Sequence, residues 1–121
     1  MILVDTSVWV EHLRRGQPSL QLLLDDGQVF RHPFVAGELA CGTMRDRAAF
    51  FEDFNQLPSL EVAEHDEVMH LVEVRRLAGL GITWIDVHLL ASALIAGAQL
   101  WTLDKRLEAA ARQLRVAATL P

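Results

Sequence analysis

The chain has little of what disulfide-stabilised, membrane-spanning or secreted proteins depend on. Among its 121 residues is a single cysteine, Cys41, which excludes an intramolecular disulfide and a zinc site built on cysteines. The longest apolar stretch, residues 87–100, contains polar side chains and is too short to cross a bilayer. The first residues form a strand pattern rather than a basic region followed by an apolar run, so we expect no signal peptide. A cytoplasmic protein without a membrane segment is expected.

Positive charge is also scarce. Eleven Lys and Arg face sixteen Asp and Glu, which gives a net charge of −5 and a pI of about 5.4. This balance counts against a protein that simply coats DNA or RNA, because such proteins carry a basic surface. It counts little against a nuclease, since metal-binding acids would themselves supply the negative charge. With 51% hydrophobic residues, residues 1–121 are expected to form a single domain.

The hydrophobic pattern predicts short strands that alternate with helices. Strands are predicted at residues 2–4, 28–31 and 99–102, with two further candidates at residues 60–62 and 116–117. Helices are predicted at residues 6–15, 19–26, 33–41, 47–57, 66–78, 87–96 and 106–114. This alternation predicts a three-layer α/β/α sandwich around a mainly parallel central sheet, with right-handed crossovers.

The first strand pattern runs straight into polar residues, Asp5, Thr6 and Ser7. In open α/β sheets the carboxyl ends of the strands face the ligand crevice, so Asp5 would point into a site. Capping of the following helix explains Asp5 equally well, and Thr6 or Ser7 could also provide that cap. The remaining acids of the chain decide between these interpretations.

Three further acids are candidates for the same site. Asp104 follows the predicted strand at 99–102, Asp86 opens the helix before that strand, and Glu38 lies among small residues in a predicted helix. Alternatively, Glu38 lies on the solvent-facing side of that helix and has no role in a site. If the first and third strands are neighbours, Asp5 and Asp104 emerge at the same edge of the sheet. Four carboxylates repel one another unless a cation such as Mg²⁺ or Mn²⁺ holds them, and such ions assist the cleavage of phosphate esters.

Taken in order, these motifs resemble the PIN-domain ribonucleases. The resemblance covers essentially the whole chain and is strongest to the VapC-type toxins of bacterial toxin–antitoxin pairs. It rests on a strand followed by Asp5-Thr6-Ser7, then Gly37-Glu38-Leu39, then Ile85-Asp86 with its helix, and finally Trp101-Thr102-Leu103-Asp104-Lys105. The resemblance implies a Mg²⁺- or Mn²⁺-dependent endoribonuclease with Asp5, Glu38, Asp86 and Asp104 as the acid set. It also implies an RNA substrate, a homodimer and a cognate antitoxin that covers the cleft.

Several polar residues beside the acids could support them. Asp5, Asp86 and Asp104 would hold the metal directly, and Glu38 would bind a second ion or orient the attacking water. The hydroxyls that could aim these carboxylates are those of Thr6, Ser7 and Thr102, although capping and turn hydrogen bonds explain them at least as well. The basic residues that could reach a phosphate are Lys105, Arg106, Arg14, Arg15, Arg45 and Arg47. A solvated charged surface is the commoner explanation for each of these basic residues.

Aromatic residues and histidines give weaker signals. The three tryptophans, Trp9, Trp84 and Trp101, could stack on bases, but their helix and strand contexts favour core packing. None of the histidines shows a spacing typical of metal ligands, and His88 is predicted to be a packed or hydrogen-bonded histidine.

Two other functions are compatible with a domain of this size. A phosphoryl-accepting receiver domain would need an acid pair after the first strand and an aspartate after a middle strand, and neither is present. A PIN-like module that only binds partners is the other alternative, and the intact acids argue against it. A phosphohydrolase with an Asp-x-Asp nucleophile does not fit, because Ser7 stands at its third position.

Overall fold

A parallel three-stranded sheet organises the chain, which the computed structural model describes from Met1 to Pro121. The strands are β1 (Ile2–Val4), β2 (Val29–Phe30) and β3 (Gln99–Trp101), in the order β2-β1-β3. Leu3 of β1 lies opposite Phe30 on one side and Leu100 on the other. All three side chains of the central strand are buried. Because successive side chains of a strand point to opposite faces, both faces are covered, which confirms the predicted α/β class with a parallel sheet.

Seven helices surround the sheet. They are α1 (Thr6–Arg15), α2 (Pro18–Asp25), α3 (Pro33–Cys41), α4 (Arg47–Phe54), α5 (His65–Val74), α6 (Trp84–Ala96) and α7 (Lys105–Gln113). Helices α1, α2, α3 and α7 lie within one residue of their predicted bounds, whereas α6 begins three residues earlier than predicted. None of the seven helices is both long and apolar enough to cross a membrane.

The two weaker strand candidates are wrong. Residues 60–62 form no strand, and that part of the chain contributes only one bridge, between Arg31 and Ser59. Residues 116–117 likewise contribute a single bridge, from Ala117 to β3. The edge strands of the three-stranded sheet are therefore β2 and β3.

Helix α5 is shorter than predicted. It begins with a capping box in which the Glu64 backbone N–H donates to Oε1 of Glu67 at 3.0 Å. It ends at Val74 instead of residue 78, and Arg76 has a φ of +54°, outside the helical region. The side chain of Gln113, on α7, donates to the carbonyl of Arg75 at 3.2 Å. A contact from another helix thus satisfies the end of α5, which local sequence could not indicate.

His32 connects α3 to α6, although its sequence position indicated no role. Its Nδ1 accepts a hydrogen bond from the Phe34 backbone at 3.0 Å, so the ring proton sits on Nε2, 3.0 Å from Ser92 Oγ on α6. Ser92 Oγ in turn donates to the carbonyl of Glu61 at 3.0 Å. Burial, assisted by nearby His88, lowers the pKa of His32 to about 4, so the ring is neutral at neutral pH. This neutral ring fixes the two helices that carry Glu38 and Asp86.

Candidate active site

Asp5 lies where β1 ends and α1 begins. Its backbone N–H donates to the carbonyl of Trp101 at 2.9 Å, which joins the ends of β1 and β3. Asp5 is the N-cap of α1, and its Oδ1 accepts from the Thr6 backbone at 2.7 Å. The expectation that Thr6 or Ser7 caps this helix is therefore wrong. Asp5 is only 6% exposed, so it is a buried carboxylate as well as a cap.

Two hydroxyl groups hold the other oxygen of Asp5. Its Oδ2 accepts from Oγ1 of Thr102 at 2.7 Å and from Oγ of Ser7 at 2.9 Å. The same hydroxyls accept backbone hydrogen bonds at 3.0 Å, Thr102 from Asp104 and Ser7 from Leu103. The network therefore fixes the Asp5 carboxylate and the turn after β3 with the same two side chains, and every oxygen of Asp5 is satisfied.

Asp104 and Asp86 also stand at helix starts. Asp104 is the N-cap of α7, and its Oδ1 accepts from the backbones of Arg106 at 2.9 Å and Leu107 at 3.1 Å. Asp86 is the third residue of α6 and forms a capping box with Thr83, whose backbone donates to Asp86 Oδ2 at 2.9 Å. Each acid uses one oxygen in this way. Asp104 Oδ2 and Asp86 Oδ1 accept no hydrogen bond.

Glu38 reaches the site from α3. The residue is exposed, and its Oε1 accepts a hydrogen bond of 2.7 Å from Oγ1 of Thr6, which is adjacent to Asp5. Its Oε2 accepts no hydrogen bond. Glu38 also lines a cleft of about 720 Å³ together with Thr6, Arg14 and Arg45. The solvent-facing alternative is therefore correct about its exposure, but Glu38 is tied to the Asp5 segment.

The pKa of Asp86 depends on the charges of the other two aspartates. Asp86 is half-buried, and this burial is the main reason its pKa lies above the usual range. Hydrogen bonds from Thr83 lower this pKa, while the negative charges of Asp5 and Asp104 raise it. The two aspartates therefore lie within electrostatic reach of Asp86.

The carboxylates suit a hard divalent cation in their chemistry. Oxygen donors are what such ions prefer, and the oxygens free of hydrogen bonds belong to Glu38, Asp86 and Asp104. As the side chains stand, no three residues of the metal-binding types are grouped to hold one ion. The donor set fits the ion, and binding it requires these side chains to move closer together.

The side chains of four of the six basic candidates have no hydrogen bond or ion pair to another residue of the chain. Arg14 and Arg45 line the cleft beside Glu38. The guanidinium of Arg106 lies against Gly81, where a Cβ atom would come within 2.7 Å of its Nη1. Lys105 is exposed at the first position of α7. These four side chains remain available for a ligand.

The other two arginines have structural partners. Arg47 donates to the backbone carbonyls of Ala40 and Gly42, which ties α4 to the end of α3. Arg15 lies 3.9 Å from Glu11 on the exposed side of α1. The commoner explanation, a structural or solvated charge, fits both.

Core packing is confirmed for two of the tryptophans and for His88. Trp9 is 3% exposed, Trp101 6% and His88 4%. Trp84 is 41% exposed, so the prediction of core packing is wrong for this residue.

Two positioning residues were missed by the sequence reasoning, His32 and Ser92. The available signals were a histidine directly before a helix-opening proline and a lone serine in an otherwise apolar helix. Their partners lie 60 and 31 residues away along the chain, so neither signal identifies the contact.

Comparison with known proteins gives a family for this chain. The PIN domain family matches residues 2–113. Ribonuclease VapC32 of Mycobacterium tuberculosis, from strains CDC 1551 / Oshkosh and ATCC 25618 / H37Rv, is 48% identical over 118 residues, covering 97% of this chain and 95% of the relative. The crystal structure of PAE2754 from Pyrobaculum aerophilum shares the fold, with a TM-score of 0.62 and 21% identity over 97% of this chain and 87% of that one. As its motifs predicted, the chain belongs to the PIN domain family and, within it, to the VapC ribonucleases.

Proposed function

We propose that this protein is a metal-dependent endoribonuclease, the toxin of a type II toxin–antitoxin pair. The observation that carries the proposal is the buried Asp5 carboxylate at the junction of β1 and β3, with Asp86 and Asp104 in electrostatic reach. The 48% identity to a protein named as a ribonuclease supports RNA as the substrate. Membership of the PIN domain family removes the support for a receiver domain.

Asp5, Asp86 and Asp104 would hold Mg²⁺ or Mn²⁺, and Glu38 would hold a second ion or orient water. The ion supplies a more acidic water and neutralises charge that develops on the phosphate. Thr102 and Ser7 both donate a hydrogen bond to the Asp5 carboxylate and fix its position. These contacts leave Asp5 rigid while the other acids adjust.

Glu38 is the residue that can accept a proton from the attacking water. Thr6 holds its Oε1, and its Oε2 is free of hydrogen bonds. Arg14 and Arg45 in the adjoining cleft, with Arg106 beside Gly81, provide positive charge for the phosphates that flank the cleavage point. Lys105 is a further candidate for a phosphate contact.

The relatives also support proposals about partners. VapC toxins pair with antitoxins, so we expect a cognate antitoxin protein that blocks access to the acids. We further propose a homodimer and a cytoplasmic location.

Removing the charge of Asp5 tests the enzymatic proposal. Purified protein is expected to cleave RNA with Mg²⁺ or Mn²⁺ and to stop when EDTA is added. Asp5→Asn keeps a side-chain oxygen for the cap and is expected to abolish cleavage while thermal denaturation shows an intact fold. Asp25→Asn is the matched control, because Asp25 precedes β2 and lies at the opposite edge of the sheet. Equal cleavage by wild type and Asp5→Asn would overturn the assignment, and binding without cleavage would favour the non-catalytic module.

A further inference from the structure

An apolar cavity of about 590 Å³ adjoins the acid set. It is lined mainly by Phe34, Gly37, Cys41, Trp84 and Ile85, and its one charged lining residue is Glu38. The indole of Trp84 is 41% exposed although tryptophan usually packs in the interior. An aromatic wall that remains open to solvent is the feature to be explained.

The two aromatic side chains of this cavity belong to the same helices as two of the acids. Phe34 lies one turn before Glu38 on α3, and Trp84 is the first residue of α6, two residues before Asp86. Whatever occupies the cavity is therefore held at a fixed offset from the carboxylates.

The rings are also fixed in orientation. The imidazole of His88 contacts both of them edge to face, with centroid distances of 4.8 Å to Phe34 and 4.8 Å to Trp84. His65 contacts Trp84 from a further position, with a centroid distance of 5.2 Å. The imidazole of His88 packs behind both rings, so the cavity is a preorganised aromatic surface.

Glu38 is shared by this cavity and the larger cleft. The larger cleft contains Arg14 and Arg45, whereas the apolar cavity contains no basic side chain. This division matches single-stranded RNA, whose backbone is anionic and whose unpaired bases have apolar faces.

We propose that the cavity takes one unpaired base of the RNA substrate, stacked on Trp84 and Phe34, beside the phosphate that is cleaved. The proposal rests on the ribonuclease function proposed above and adds a determinant of substrate choice to it. Trp84 and Phe34 would act as specificity residues, because a structure that cannot release a base into the cavity would lose this contact. Stacking of this kind tolerates several bases, so unpairedness matters more than base identity.

A series of oligoribonucleotides, each lacking the base at one position, tests the proposal. Removing the base at one position next to the cleavage point is expected to raise KM by about 5- to 150-fold, which corresponds to the range for base stacking. Trp84→Ala is expected to raise KM for the intact RNA by a similar factor. In this variant, removing that base is expected to leave KM unchanged. Phe34→Ala should have the same coupling in weaker form. Ile95→Ala is the matched control, since Ile95 is 63% exposed at the far end of α6.

Fluorescence provides a second measurement that requires no cleavage. Trp9 and Trp101 are buried, so bound RNA can quench the fluorescence of Trp84 by direct contact but not that of the other two tryptophans. With the inactive Asp5→Asn variant, RNA is expected to quench this emission saturably, and RNA lacking the critical base is expected not to. This arm decides the proposal even if a Trp84 variant does not fold.

Three outcomes would overturn the inference. The first is that every base removal changes KM by the same factor in wild type and in Trp84→Ala. The second is that RNA does not quench the fluorescence of Trp84. The third is that Trp84→Ala turns a dimer into a monomer in sedimentation while base removal has no coupled effect, since a second copy of the chain would then occupy the cavity. A wild-type protein that cleaves no RNA at all would instead count against the proposed function.

Discussion

Replacing Thr102 by valine removes the hydroxyl that connects two of the acids without changing the shape of the side chain. The hydroxyl donates to Oδ2 of Asp5 at 2.7 Å and accepts from the backbone of Asp104 at 3.0 Å. Both Thr102 and Asp5 are almost fully buried, so water cannot replace the hydrogen bond between them. A hydrogen bond to a charged group contributes about 1.5–3 kcal/mol, so Thr102→Val is expected to lose about this much stability.

Urea denaturation at neutral pH without metal measures this loss of stability. Cleavage of RNA with Mg²⁺ should fall about 10- to 100-fold, the range found when residues that orient metal ligands are removed. Thr102→Ser keeps the hydroxyl and is the matched control, expected to retain most of both quantities. A Thr102→Val variant as stable and as active as wild type would show that Ser7 alone suffices to position Asp5, and the reasoning about this network would be refuted.

Two further predictions follow from the ionisable groups. Asp86→Asn is expected to raise Tm in metal-free buffer, because a half-buried carboxylate repelled by Asp5 and Asp104 becomes neutral while the oxygen that accepts from the Thr83 backbone is kept. Asp86→Ala loses that hydrogen bond and should be less stable than Asp86→Asn by about 1 kcal/mol. A lower Tm for Asp86→Asn than for wild type would contradict this reasoning. His32 binds its proton with a pKa of about 4 in the fold and 6.5 in the unfolded chain, so the unfolded chain takes up the proton first. Unfolding free energy should therefore fall by about 3 kcal/mol as pH drops from 6.5 to 4, and His32→Asn, which caps without titrating, should lack this slope in denaturation series.

Local signals explain why most of the fold could be predicted. Pro33 and Gly42 bracket α3, Gly97 closes α6 in the left-handed conformation, and the central strand β1 is a continuous buried apolar run. These signals act within a few residues, so the sequence alone contains them. The positions of Asp5 and Asp104 followed from the same logic, since Asp5 comes directly after β1 and Asp104 comes three residues after β3.

Tertiary contacts decided the parts that could not be predicted. The pattern after Val74 remains helical, yet α5 stops there and the carbonyl of its C-cap, Arg75, accepts a hydrogen bond from Gln113 on α7. Residues 60–62 have a strand composition but pair with no strand beyond one bridge. Trp84 is 41% exposed at the start of α6, although its ring contacts His65 and His88. Contacts between distant segments are not encoded in local periodicity.

Asp5 caps α1, and this capping is compatible with the metal-binding role proposed for its carboxylate. Asp5 and Asp104 are the N-caps of α1 and α7, and Asp86 lies in the first turn of α6. Each of the three aspartates therefore lies at the amino end of a helix, and the partial positive charge at that end offsets part of the repulsion that Asp5 and Asp104 exert on Asp86. Exchanging each aspartate for asparagine keeps the cap and removes the charge, so such variants separate the contribution to folding from the contribution to catalysis.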